Sequence, residues 1–135
     1  MGEVFGLSRI GQIYVTAHDL DRAVAFYRDV LGMKFLFRVP NMAFFDCAGT
    51  RLMLGVPESA EFDHPASIVY YDVPDIQKAH ETLAGRGVSF REAPARIADL
   101  GDRVLWLASF RDSEGNTVAL MSEVAKTAER AREQT

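Results

Sequence analysis

One pattern of apolar and polar positions occurs twice along this chain of 135 residues. In the first copy, alternation over residues 10–17 is followed by apolar residues at helical spacing up to Gly32. In the second copy, alternation over residues 67–73 is followed by a similar helical pattern up to Gly87. Alternation predicts a β-strand, whereas apolar residues three and four positions apart predict an amphipathic helix. Because the order recurs, the sequence predicts one supersecondary unit used twice.

Each predicted helix has its own start and stop signal. Asp19 and Asp75 precede the two helical patterns, and an aspartate at this position accepts hydrogen bonds from unpaired amides of the first turn. The glycines that follow favour the left-handed conformation in which many helices end. The second helix is predicted over 75–86. The apolar positions predicted for the first helix are Leu20, Ala23, Val24, Tyr27 and Leu31.

Three more strands are predicted after each helix. They cover residues 33–39, 42–47 and 51–56 in the first copy, and 88–93, 104–111 and 116–121 in the second. Turn-forming residues separate these segments, as in Pro40-Asn41 and over residues 112–116. The resulting order is βαβββ, repeated, with strands joined mostly by hairpins. This order predicts an α+β fold.

The repeat also sets the predicted domain organisation, a single domain over residues 1–135. Module one covers 8–56, a polar connector with two prolines covers 57–65, and module two covers 66–122. The segment 123–135 is rich in Ala, Glu, Lys and Arg and predicts a C-terminal helical tail. Because its apolar stripe is thin, we expect this helix to fray.

Composition and charge exclude several classes of function. A hydrophobic content of 48% with 25% charged residues is typical of a globular protein, and no apolar run is long enough for a membrane span. The net charge of -4 argues against nucleic acid as a partner. The single cysteine, Cys47, excludes an internal disulfide, and no signal peptide is visible. We therefore expect a cytoplasmic protein whose partner is a small molecule.

The alternation assigns side chains to the two faces of each sheet. Ile13 and Val15 are expected to face the first helix, so that Gln12, Tyr14 and Thr16 point to the opposite, concave face. The same rule applied to the other strands predicts a mostly apolar cavity, which is typical of small-molecule sites. Its predicted lining is Tyr14, Met53, Ile68, Tyr70, Ala119 and Met121, joined by Trp106 and Phe110, which share one face of their strand.

Two segments carry a resemblance to a known family. They are DLDRAVAFYRDVLGM over residues 19–33 and FRDSEGN over residues 110–116. The chain resembles the vicinal oxygen chelate superfamily, which includes glyoxalase I, extradiol dioxygenases, and fosfomycin and bleomycin resistance proteins. The resemblance covers about residues 8–122. It implies paired βαβββ modules and a homodimer.

The resemblance also identifies four positions at which metal enzymes of the family carry His, Glu or Gln. In this sequence they are Gln12, Met53, Ile68 and Ala119. Only Gln12 could ligate a divalent ion, because Met, Ile and Ala provide no suitable donor. The resemblance therefore implies a metal-free member without a cofactor. Nothing in the spacing of the three histidines, His18, His64 and His80, brings them together.

Three functions stay open at this point. The leading hypothesis is a metal-free protein that binds a small, partly aromatic molecule and sequesters a drug or metabolite, as antibiotic resistance proteins of the family do. The second is a lyase, isomerase or dioxygenase-type enzyme that uses groups such as Gln12, Tyr14, Tyr70 or Asp72. The third is a non-catalytic accessory or regulatory dimeric domain. Arg51, expected beside Met53, and Arg103 could each anchor a carboxylate, although a surface arginine is the simpler interpretation of both.

Overall fold

The structure is a computed structural model that describes residues 5–133. The chain divides between His64 and Pro65 into two compact units. Each unit contains one four-stranded sheet and follows the order βαβββ, as the sequence predicts. None of the helices in the described residues is long and apolar enough to cross a membrane.

Module one, which lies in the first unit, has its final strand next to its first. Its strands lie in the order β1-β4-β3-β2; β1 runs parallel to β4, and the other neighbours are antiparallel. Parallel neighbours need a crossover connection, here supplied by the helix and the intervening hairpins. The elements of module one are β1 (Gln12–Thr16), α1 (Leu20–Ala25), β2 (Lys34–Val39), β3 (Met42–Cys47) and β4 (Thr50–Gly55).

The first helix starts where the sequence predicts but changes its pitch before it ends. The Asp19 carboxylate accepts a hydrogen bond from the Arg22 amide at 3.1 Å, and α1 begins at the next residue after the aspartate. The segment Phe26–Val30 is a π-helical turn in which the Leu31 amide donates to the Phe26 carbonyl at 3.0 Å. The predicted helix is therefore present from Leu20 to Val30, but its last turn is π-helical, which the apolar spacing does not distinguish from an α-helix.

The core of module one lies between its sheet and α1. Leu52 and Leu54 are buried on the helix side of β4, as predicted from the alternation. Phe45 is fully buried and packs against the rings of Tyr27 and Phe35, with ring centroids 6.1 and 5.5 Å away. Burial of a side chain of this size stabilises the fold by about 1.5–3 kcal/mol.

Module two repeats the same topology in the second unit. Its strands lie in the order β5-β8-β7-β6, with β5 parallel to β8 and the other neighbours antiparallel. Asp75 caps the helix by accepting from the Lys78 amide at 3.2 Å. The elements are β5 (Val69–Asp72), α2 (Ile76–Gly85), β6 (Ala95–Asp99), β7 (Arg103–Arg111), β8 (Thr117–Ala125) and α3 (Lys126–Glu133).

One strand of module two is not where the sequence predicts it. Residues 88–93 form no strand, and Phe90 makes only an isolated bridge with Phe110. Val88 is buried, and the Phe90 ring packs against the rings of His80 and Phe110. The apolar residues that suggested a strand therefore belong to the core under α2. The actual edge strand is β6, which is too short and polar to show a clear alternation.

The predicted helical tail begins later than expected, because β8 continues to Ala125, and polar contacts hold the first turn of α3. The Glu129 carboxylate accepts from the indole Nε1 of Trp106 and pairs with Nη2 of Arg96, both at 3.0 Å. At the start of α3, the Lys126 ammonium pairs with Asp99 at 2.8 Å. The helix thus docks through polar contacts, which a search for an apolar stripe does not detect.

Candidate functional site

The register of module one determines which side chains share the sheet face opposite α1. Tyr14 lies opposite Met53, and Phe44 lies opposite Met53 from the other side. Gln12 lies opposite Arg51. Because successive side chains of a strand point to opposite faces, these residues lie on the face that Leu52 and Leu54 avoid. We call this the helix-free face of module one; the predicted placement of Gln12, Tyr14 and Met53 on it is confirmed.

Two hydrogen bonds connect the polar side chains on this face. Arg51 donates through Nε to the Gln12 carbonyl oxygen Oε1 at 3.0 Å. Gln12 in turn donates through Nε2 to the Met53 sulfur at 3.6 Å. Both polar atoms of the Gln12 amide are therefore engaged, and one edge of the Arg51 guanidinium is held in a fixed position.

Arg51 also covers an aromatic pair. Its Cζ atom lies 5.0 Å from the centroid of the Phe44 ring. The Phe37 and Phe44 rings are stacked, with centroids 4.5 Å apart and planes at 27°. Phe44 is only 9% exposed, whereas Phe37 is 43% exposed. We call these three residues the Arg51–Phe44–Phe37 stack.

Neither phenylalanine of this stack is among the residues that the sequence pattern predicts for the site. In β2 the register shifts between Phe35 and Phe37, so that Phe37 lies opposite Phe44. Strict alternation from Phe35, which contacts the core residue Phe45, would have placed Leu36 on the helix-free face instead. A β-bulge of this kind re-aims one side chain, and no residue type in the sequence marks it.

Tyr14 is packed tightly at one end of the face. Its hydroxyl donates to the Gly55 carbonyl oxygen at 3.1 Å. A Cβ atom built on Gly55 would lie 2.5 Å from the Tyr14 ring, so glycine is needed at this position. Beyond it, the connector covers the end of β1, because Thr16 donates to the His64 carbonyl at 2.8 Å. These contacts fix the ring of Tyr14 against the backbone of β4.

The corresponding face of module two carries the residues predicted for it on β5 and β8. Tyr70 lies opposite Ala119, and Met121 lies opposite Leu107. Tyr70 is 50% exposed, Met121 is half-buried and Ala119 is buried. Ile68 precedes β5 and is exposed. This face therefore combines apolar side chains and the Tyr70 phenol with polar ones, since the register also places Asp72 opposite Met121 and Ser109 opposite Ala119.

Trp106 and Phe110 do not join this face, which corrects the sequence prediction. Trp106 lies opposite Ser122, and Phe110 lies opposite Val118. Both point to the helix side of the sheet, where Phe110 is 2% exposed and Trp106 reaches Glu129 of α3. The two residues share one face of β7, as predicted, but that face is the core.

The four positions that correspond to family metal ligands do not suit a divalent ion. The side chains of Ile68 and Ala119 have no donor atom, and the Met53 thioether is a soft ligand. The only oxygen, on Gln12, already accepts a hydrogen bond from the cationic Arg51. Zinc and the other borderline ions take imidazole, carboxylate or thiolate donors. Within residues 5–133, no group of three or more His, Cys, Asp or Glu residues could hold a metal ion.

The histidines and the cysteine serve elsewhere. His18 Nε2 lies 2.6 Å from Asp63 of the connector, and the His80 ring packs on Phe90. Burial raises the pKa of the Cys47 thiol, and the neighbouring Asp46 carboxylate raises it further. The thiol is therefore mostly protonated at neutral pH, which suits a small apolar residue better than a nucleophile.

Comparison with known proteins identifies the family. Residues 9–120 match the model of the Glyoxalase/Bleomycin resistance protein/Dioxygenase superfamily, while no curated protein matches the chain significantly. A lactoylglutathione lyase from Agrobacterium tumefaciens is 25% identical, with a TM-score of 0.73 over 87% of this chain and 95% of that one. A superfamily member from Sphaerobacter thermophilus is 26% identical, with a TM-score of 0.71 over 87% and 98%. An integron cassette protein from Vibrio cholerae, 18% identical with a TM-score of 0.74 over 89% and 98%, shares the fold. The chain therefore belongs to the Glyoxalase/Bleomycin resistance protein/Dioxygenase superfamily.

Proposed function

We propose that the protein binds a small, partly aromatic molecule without a metal, on the helix-free face of module one. The observation that carries this proposal is the Arg51–Phe44–Phe37 stack, which lies beside two of the four family metal positions, Gln12 and Met53. Where metal enzymes of the family need ligand atoms, this chain presents an amide, a thioether, a guanidinium and aromatic rings.

The chemistry of these groups suits a flat ligand. An offset or edge-on ring pair contributes about 0.5–1.5 kcal/mol beyond the area it buries, and a thioether beside a ring adds about 0.3–1.5 kcal/mol. Phe37 is exposed enough to receive a ring, and Met53 is half-buried beside Gln12. The hydrogen bonds of Gln12 hold these groups in place before a ligand arrives, which reduces the entropic cost of binding.

A binding function without chemistry corresponds to sequestration, as in the bleomycin resistance proteins for which the superfamily is named. In this proposal the protein lowers the free concentration of a drug or metabolite and acts as a cytoplasmic homodimer. The oligomeric state is measured by light scattering after size exclusion, and a strict monomer would argue against a bleomycin-type role.

Thermal unfolding of chelator-treated protein tests the proposal. A ligand at a hundred times its dissociation constant stabilises the folded state by about 2.7 kcal/mol, which raises the melting temperature of a chain of this size by roughly 10 °C. We expect aromatic compounds to raise the melting temperature, and nickel, zinc, manganese and iron to leave it unchanged. Stabilisation by one of these metals would contradict the proposal and favour an enzyme such as the lactoylglutathione lyase.

A matched pair of variants locates the binding surface. Phe37→Leu removes the exposed ring of the stack and should reduce the stabilisation by aromatic compounds. Phe5→Leu changes a phenylalanine that is 89% exposed before the first strand and should leave it unchanged. Equal responses of the two variants would place the binding surface elsewhere.

A further inference from the structure

The Arg51 guanidinium is only partly engaged by the protein. Its Nε donates to Gln12 Oε1, and its Cζ atom lies over the Phe44 ring, 5.0 Å from the centroid. Across the described part of the chain, the terminal nitrogens Nη1 and Nη2 make no hydrogen bond, and no carboxylate lies within 4.0 Å of them. Arg38, by contrast, is paired at 2.6 Å with Asp21. Arg51, an exposed side chain of this face, thus keeps two parallel donors for another molecule.

The charges near Arg51 form a row across three strands. The register places Lys34 opposite Asp46, and Asp46 opposite Arg51. Asp46 accepts a hydrogen bond from the Gly49 amide at 3.0 Å, which directs one of its oxygens into the β3–β4 turn. The row therefore contains two cations and one anion, and the anion is already engaged by the backbone.

A guanidinium that keeps two terminal nitrogens for a ligand selects that ligand by geometry as well as by charge. It is planar, and its parallel N–H groups match the two oxygens of a carboxylate. Because Nε is bonded to Gln12 and Cζ lies over Phe44, the edge that carries Nη1 and Nη2 is the one left for a ligand. A ring attached to such a carboxylate then lies within reach of Phe37 and Met53, the apolar groups of the same face.

We infer that the ligand of the helix-free face of module one is an aromatic carboxylate, whose carboxylate pairs with Nη1 and Nη2 of Arg51. This inference rests on the proposed function and adds the charge and shape of the ligand to it. It predicts that a neutral aromatic of the same size binds less tightly. It also predicts that Asp46 weakens binding, because its negative charge lies across the strand pair from Arg51.

The experiment compares naphthoate with naphthamide, which has the same ring and no charge, by isothermal titration of chelator-treated protein. We expect naphthoate to bind at least about tenfold more tightly, which equals about 1.4 kcal/mol. In Arg51→Gln this preference for naphthoate over naphthamide should fall below about twofold. Lys34→Gln is the matched control, because it removes a cation from the same row but no donor from the stack.

Two further measurements keep the inference testable if Arg51→Gln does not fold. Asp46→Asn keeps an oxygen for the Gly49 amide and should strengthen naphthoate binding several-fold without changing naphthamide binding. Added salt should weaken the binding of naphthoate only. Equal affinities of the two compounds for the parent protein would overturn the inference and leave the proposed function standing. Failure of both compounds to bind would overturn both.

Discussion

Replacement of Glu129 by glutamine tests how the C-terminal helix is held in module two. The carboxylate bonds to Trp106 and Arg96, each at 3.0 Å, and its side chain is 14% exposed. The bond from Trp106 goes to a charged group, and such a hydrogen bond contributes about 1.5–3 kcal/mol when it is sheltered from water. Arg96 is 55% exposed, so its ion pair with Glu129 adds no more than about 1 kcal/mol. Because glutamine keeps one acceptor oxygen, we expect Glu129→Gln to destabilise the fold by about 1–2 kcal/mol.

Urea unfolding followed by tryptophan fluorescence measures this change, since Trp106 is the only tryptophan in the sequence and lies at the contact. Glu81→Gln on α2 is the control, because Glu81 is an exposed helical glutamate. A double-mutant cycle with Trp106→Phe, followed by circular dichroism because this variant has no tryptophan, should give a coupling energy of about 1 kcal/mol. A loss below about 0.3 kcal/mol, equal to that of the control, would refute the docking of α3 by Glu129.

Three other predictions concern the remaining polar and packing features. Because burial raises the pKa of the Cys47 thiol, iodoacetamide should modify it more slowly at neutral pH than it modifies free cysteine; an equal rate would contradict the raised pKa. Gly55→Ala should displace the Tyr14 ring, lower stability by about 1–3 kcal/mol in thermal melts and weaken naphthoate binding, whereas an unchanged melt would show that the ring moves freely. The Lys126 side chain, aided by the Gly101 amide, holds the pKa of Asp99 below its usual value. The stability that the Asp99–Lys126 pair contributes is therefore present above the unfolded-state pKa of Asp99 and is lost as pH falls through its folded-state pKa. Asp99→Asn should destabilise the fold at pH 7 but not below the folded-state pKa. An equal loss of stability at both pH values would contradict this dependence.

The parts of the fold that depend on local signals could be predicted from the sequence. Asp19 and Asp75 cap the two helices as expected. Gly32 has a φ of 73°, and Gly87 has a φ of 92°, which is the left-handed conformation that ends each helix. The same signals occur in both copies, so the βαβββ order followed from residue types and periodicity alone.

The parts that depend on pairing between strands could not be predicted. Phe37 reaches the helix-free face through a register shift in β2. Trp106 lies on the helix side of its sheet, in the register that pairs it with Ser122. A shift by one residue moves a side chain to the other face, and the sequence does not fix that register. The contact of Glu129 with Trp106 likewise joins residues that no periodic pattern relates.

Methyl NMR of the methionines is the most direct measurement of metal-independent binding on module one. Met42 and Met53 lie on its helix-free face, Met121 lies on the corresponding face of module two, and Met33 follows the first helix outside both sheets. In excess chelator, naphthoate should shift the Met53 and Met42 methyl signals in a saturable way, with Met33 unchanged, and added zinc should change none of them. A Met53 signal that stays constant with naphthoate, or that shifts with zinc, would contradict metal-free binding at this face.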